Sequence, residues 1–255
     1  MAAHGEVHSD DIVIVGVVSF GDNDAIVRCF ARNAGRVSAF ARGARSSRKR
    51  FPGLQAPAFA KATWKSRAGS ELMLLTELDI DTRLMNLGQD LRAFGFCGYV
   101  AELVERFVPQ GAPQPELFDI LTATMGALAL HGPRAVVLRA FELHLLNVLG
   151  VLPDLSLSGV VDDPGGACTA YDPGRGVLLA HPTAQSVDFS DDARQAAGFL
   201  LRGDAVAAVS LSVDDEVLRQ VSRLFSSWLR RQNVKLRSLA VLRALASSSQ
   251  PSQPS

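Results

Sequence analysis

The stretch "ARGARSSRKRFPGLQAPAF" begins at Ala41 and carries Arg42, Arg45, Arg48, Lys49 and Arg50, with Arg36 just upstream and no acid among them. Guanidinium and ammonium groups at that density suit phosphate binding, which gives affinity without telling one base from another. A little further on, Trp64 is flanked by Lys61, Lys65 and Arg67. Such a ring either stacks a base while the cations meet phosphates, or packs into the core of its strand. Phe51, at the exit of "RSSRKRF", poses the same choice between stacking and anchoring the loop.

Other chemistries find less support. The chain has neither GxxxxGK[ST] nor a well-placed GxGxxG, no HExxH, and "VSFGD" is not a GxSxG elbow. Its adjacent acids are Asp10–Asp11, Asp162–Asp163, Asp191–Asp192 and Asp214–Asp215. Neighbouring side chains on a helix point in different directions, so these read as helix caps or loop residues rather than a metal or acid/base site. Among five histidines, His4 and His8 fall near the first residue, His131 at a helix end and His144 in an apolar helix. His181 lies thirteen residues beyond Cys168. Two ligands are fewer than a structural zinc ion needs, so no metal site and no cofactor are expected.

The formal net charge is zero, but the charges are segregated. Residues 1–24 sum to −5, 25–70 to +11, 71–216 to −13 and 217–255 to +7. A local field of this kind attracts a polyanion even from a neutral molecule. The last block holds Arg219, Arg223, Arg230, Arg231, Lys235, Arg237 and Arg243. Of these, Arg223 and Arg230 are the candidates for a secondary nucleic-acid contact, the alternative being surface solvation and helix-dipole pairing. Composition, at 47% hydrophobic and 20% charged, is that of a soluble globular protein. Three well-separated cysteines, no long apolar run and no signal-like start point to a reducing cytoplasm and no membrane.

Two kinds of element must position these groups. "DIVIVGVVSF", "IVRCFAR", "RVSAFARGA", "AFAKATWKS" and "ELMLLTELDI" read as short strands joined by turns. Phe40 breaks the otherwise clean alternation of the third. Five strands without a long helix between them argue for a small barrel or sandwich, of which an OB-type barrel over residues 1–80 is the economical choice. Helical spacing then takes over to residue 246, with Leu87, Leu91, Phe94, Tyr99, Leu103 and Phe107 as the expected buried stripe of the first helix. "PELFDILTATMGALALHG" and "PRAVVLRAFELHLLNVLG" start near Pro and stop near Gly, as helices do. The pattern fails over residues 151–188, an irregular insertion, and resumes with Ser190 placed to cap a helix with an acidic first turn. In the last long helix Leu218, Val221, Leu224, Phe225, Trp228 and Leu229 should be buried. Residues 247–255 are expected to be a disordered tail. The fold class is thus α+β and multidomain.

In their order along residues 11–245 these segments resemble the bacterial RecO family of recombination mediators. "GRVSAFARGARSSRKRF" together with "YVAELVERFVPQGAPQPELF" carries the resemblance most specifically, supported by "RAFELHLLNVLGVLPDL" and "KLRSLAVLRAL". The resemblance implies an N-terminal OB barrel, a helical domain and an inserted zinc-type module. It also implies binding of single- and double-stranded DNA, strand annealing, and cooperation with RecR and the single-stranded-DNA-binding protein to bring RecA onto coated strands, in the cytoplasm at the nucleoid. The family's basic loop falls on Arg42, Arg45, Arg48, Lys49 and Arg50. Many relatives carry two Cys-x-x-Cys pairs in the insertion, whereas this chain has only Cys168 there. A metal-free hairpin held by Val177, Leu178 and Leu179 is therefore expected. The competing function class is a protein-interaction adaptor with little affinity for DNA; a hydrolase ranks third.

Overall fold

Period-two alternation is realised most cleanly in β3 (Gly35–Ala41), where Val37, Ala39 and Ala41 face inward and Arg36, Ser38 and Phe40 do not. With β1 (Val7–Phe20), β2 (Asp24–Ala31), β4 (Ala58–Arg67) and β5 (Ser70–Ile80) it closes a barrel in the order β1-β2-β3-β5-β4. Neighbouring strands are antiparallel except β3 and β5, which meet in parallel at Ala39–Met73 and Phe40–Leu74. The ring closes through β1 and β4, with Ile12 opposite Ala60 and His8 opposite Trp64. A register shift between Ile14 and Gly16 re-aims β1, as a bulge does at a barrel corner. The structure is a computed structural model that describes residues 6–47, 49–67, 70–203 and 205–247. Of the expected tail, Ser247 is still helical and residues 248–255 lie outside the described residues.

The barrel core is built from Ile12, Ile14, Val27, Cys29, Ala39, Ala60, Trp64 and Leu75. Small alanines beside the indole let a narrow barrel close around one large ring. Burial pushes the Cys29 thiol up to about 12, so it packs as a small apolar group.

After Ile80 the expected change to helical structure occurs, in two pieces. A 3-10 segment (Thr82–Gln89) precedes α1 (Leu91–Phe107), and Asp90 separates them by accepting from the amides of Arg92 and Ala93. The expected stripe is thereby shifted: Leu91 and Phe94 are exposed, and small residues including Ala93, Gly95, Cys97 and Ala101 are buried beside Tyr99, Leu103 and Val104. The reason is close helix packing. A Cβ on Gly95 would lie 3.1 Å from a Leu242 methyl of α7 (Arg237–Ser247). Glu102 of α1 also caps α7, accepting from the amides of Arg237 (3.0 Å) and Ser238 (2.8 Å) and from the Ser238 hydroxyl (2.6 Å).

Two compact units result, residues 1–133 with 236–255, and residues 134–235. They differ from a division at residue 80, because the first helices pack on the barrel: Phe30 of β2 meets Phe118 of α2 (Pro115–His131), and Arg28 ion-pairs with Glu105. Within the second unit, α4 (Asp191–Arg202), α5 (Ala205–Val209) and α6 (Asp215–Arg231) pack against α3 (Ala135–Val148). Ser190 caps α4 through the Ala193 amide. Five residues of the expected α6 stripe, Val221, Leu224, Phe225, Trp228 and Leu229, are buried, while Leu218 in the first turn is half-buried. The insertion folds as a small sheet, β7 (Val177–Leu179), β6 (Ala170–Asp172) and β8 (Val187–Asp188), with Leu178, Leu179 and Tyr171 buried.

Candidate nucleic-acid interface

The basic loop leaves β3 at Ala41 and is held by its own backbone. The Asp24 carboxylate accepts from the Gly43 amide at 2.7 Å, and the Arg45 amide donates to the Asn23 carbonyl at 3.0 Å. Gly43 takes φ +68°, open to glycine at no steric cost, and its carbonyl accepts from the amides of Ser46 and Ser47. Ala44 and Phe51 turn inward into the barrel core. With the apolar residues inside and the backbone tied to the β1–β2 turn, Arg42, Arg45, Lys49 and Arg50 are left exposed. Arg50 folds back to the Arg42 carbonyl (3.0 Å) and lies 5.4 Å from the Phe51 ring centre, so its charge is oriented but not neutralised. Arg48 lies outside the described residues.

The ion pairs of the described residues lie elsewhere. Arg28 meets Glu105, Arg32 meets Asp119, Arg219 meets Glu216, and Arg223 meets both Glu216 (3.2 Å) and Asp188 (3.7 Å). Arg42, Arg45, Lys49 and Arg50 have no carboxylate partner among the described residues, a condition they share with Arg230 but hold as a cluster.

The expected stacking rings and Arg36 are corrected, and the remaining expected cations are placed as follows. Trp64 is only 1% exposed and Phe51 3%, so both rings belong to the barrel core and neither offers a face to a base. Arg36 is also taken up by the structure: its guanidinium donates to the Glu105 carbonyl, and burial holds its pKa below the ordinary value. Lys61 is exposed, yet it stands opposite Asp11 on one side and Asp79 on the other, a local acidic setting. Lys65 is exposed opposite Val7 and Leu74. The Arg67 side chain lies outside the described residues. In α6, Arg223 is engaged by two carboxylates, whereas Arg230 sits exposed in the last turn.

The acids have structural work. Asp10 accepts from the amides of Asn33 (2.8 Å) and Ala34 (3.0 Å), Asp162 from Ala180 (2.7 Å), and Asp214 caps α6. Cys168 is buried with its thiol 3.1 Å from the Phe189 carbonyl, while the His181 side chain is exposed and approaches Asp162. Among the described residues no group of three His, Cys, Asp or Glu is arranged to hold a metal. The donor set thus does not fit the zinc that the resemblance implies for the insertion.

Sequence reasoning missed two outward rings. Phe20, 55% exposed at the end of β1, meets Phe40 edge-on with ring centres 5.7 Å apart. The break in alternation at Phe40 was the available signal; nothing marked Phe20.

The model of the family described as recombination protein O, N terminal, matches residues 6–82, and that of its C terminal matches residues 88–240. The chain is 37% identical over 177 residues to the DNA repair protein RecO of Anaeromyxobacter dehalogenans (strain 2CP-C), covering 69% of this chain and 70% of that one. To its counterpart in Anaeromyxobacter sp. (strain Fw109-5) it is 29% identical over 226 residues, 85% and 88% of the two chains. The RecO of Geobacter sulfurreducens is 37% identical over 140 residues, 55% of this chain and 57% of that one. Barrel, helices and matched spans agree: this chain belongs to the recombination protein O family of DNA repair proteins.

Proposed function

We propose that the chain is a non-enzymatic mediator of recombinational gap repair, which binds single- and double-stranded DNA, anneals complementary single strands and helps load recombinase onto coated strands. The observation that carries this reading is the loop of exposed, unneutralised cations anchored on the barrel. Cations that release counterions from a phosphate backbone gain affinity from entropy, and those not already paired lose no carboxylate partner on binding. Neutralising phosphates on two strands at once also lowers their mutual repulsion, which is the physical requirement for annealing. RecR and the single-stranded-DNA-binding protein are the proposed partners and RecA the recombinase, as the family resemblance implies. No helix among the described residues is long and apolar enough to cross a membrane. Action in the cytoplasm, at the nucleoid, is part of the same proposal.

A salt titration tests it. Affinity for single-stranded DNA should fall steeply and linearly on a log–log plot against salt concentration. Little binding at any salt would favour the protein-interaction adaptor instead.

A further inference from the structure

Four strands of the barrel contribute one outward row. Val18, Ile26 and Phe40 stand opposite one another across β1, β2 and β3, and Leu74 of β5 continues the row. Their neighbours Val27, Ala39 and Leu75 point into the core, so the alternation of each strand places this row on the outer surface. At strand spacings of about 4.8 Å the row runs for about 14 Å. Phe20 lies beside it, edge-on to Phe40, and Lys65 extends it opposite Leu74. Val18 is 44% exposed, and Phe20 more so.

Beside this row lies an open hollow of about 750 Å³ lined by Phe20, Asp22, Asn23, Asp24, Arg42, Gly43, Ser46 and Arg50. Aromatic surface and unpaired cations therefore border the same space. Of the two acids there, Asp24 is engaged by the Gly43 amide. Asp22 remains exposed and disfavours phosphate close to it. Against it stand Arg42 and Arg50 of the same lining, joined along the loop by Arg45 and Lys49.

We infer that Phe20, supported by Phe40, is a stacking platform for unpaired bases, with the strand's phosphates turned toward Arg42 and Arg50. The inference rests on the phosphate-binding reading above and adds selectivity to it. Cations alone hold single strands and duplex by the same charges. A ring face holds only a base that is out of a duplex stack, so Phe20 shifts preference toward single strands. The edge-on contact with Phe40 orients the Phe20 ring before any ligand arrives, which lowers the ordering cost of binding. A polyanion with aromatic faces fits this surface better than an apolar peptide, because Arg42 and Arg50 beside it are exposed and have no carboxylate partner among the described residues.

The test compares three probes on the full chain: an oligothymidylate, an abasic deoxyribose-phosphate oligomer of equal length, and a duplex. Wild type should prefer the oligothymidylate to the abasic oligomer. Phe20→Ala should weaken oligothymidylate binding about tenfold and leave abasic and duplex binding unchanged. Phe20→Trp should retain the preference. Phe20→Leu keeps an apolar contact with Phe40 but removes the ring face, so it should behave as the alanine variant and separates stacking from any effect on folding. An unchanged preference in Phe20→Leu, with normal salt-dependent binding, overturns the stacking platform alone and assigns the row to a protein partner. A wild type that binds none of the three probes overturns the phosphate-binding reading, and this inference with it.

Discussion

The loop after β3 and the helix α6 look alike in composition and differ in what their charges are free to do. Both are rich in arginine. In α6 the first turn supplies Asp215 and Glu216, and Glu216 takes up both Arg219 and Arg223, with Asp188 adding a second partner to Arg223. Arg230 and Arg231 stand in the last turn, where a cation complements the helix dipole. In the loop, Asp24 is occupied by a backbone amide, and the side chains of Arg42, Arg45, Lys49 and Arg50 stay exposed. A count of basic residues ranks the two regions together; their neighbours in space separate them. The proposed binding surface is the one where the fold spends a nearby acid, Asp24, on a backbone amide rather than on the cations.

That contrast depends on how firmly the loop is seated. Phe51 is the largest apolar residue of the loop and lies inside the barrel, with Leu54 packed against the same core. Phe51→Ala should cost about 3–4 kcal/mol of stability, a transfer loss plus a cavity. Denaturant unfolding would measure it. A loss under about 1 kcal/mol would mean that the loop is not anchored through this ring.

The two regions should next separate by charge reversal. Arg45→Glu with Lys49→Glu should lower affinity for single-stranded DNA more than tenfold, by removing two cations and adding two repulsions. Arg223→Glu with Arg230→Glu should lower it less than threefold, since Arg223 is already paired and Arg230 stands without the loop's cluster. Fluorescence anisotropy on folded variants would report both. Equal losses would make α6 a DNA surface of the same rank.

Much of this architecture was legible in advance. Five strands, a change to helical spacing near residue 80 and the buried stripe of α6 all follow from periods of two and of three to four residues. The interruption at Asp90 was not, because Leu87, Leu91 and Phe94 hold helical spacing whether or not a cap intervenes. Nor was the return of α7 to the first unit, which depends on a glycine and a glutamate more than a hundred residues away. At the site the basic loop was plain, being contiguous. The rings were not, because period two tells which face a residue takes but not which face is left open. Trp64 and Phe51 thus read as equally able to stack or to pack, and both pack.

A smaller effect concerns acid stability within the α6 unit. Hydrogen bonds from Arg194 and then Gln195 hold the Asp191 carboxyl down at about 2, despite some desolvation. A depressed folded-state pKa contributes stability above the unfolded value of about 3.9, and that contribution is lost as pH falls toward 2. Discounted for solvent exposure, it is about 1 kcal/mol. Asp191→Asn should therefore be less stable than wild type at neutral pH, with the difference closing between about pH 4 and pH 2. A constant difference across that range would assign the effect to packing instead.

The most direct measurement of the central claim is the salt dependence of single-stranded DNA binding, with wild type beside a variant carrying alanine at Arg45, Arg48, Lys49 and Arg50. Each phosphate contact on a single strand contributes about 0.7 to the slope of log affinity against log salt. If the loop is the principal phosphate-binding element, the variant's slope should be shallower by about 3, with affinity lost nearly uniformly across DNA sequences. A slope unchanged from wild type in a folded variant would contradict it.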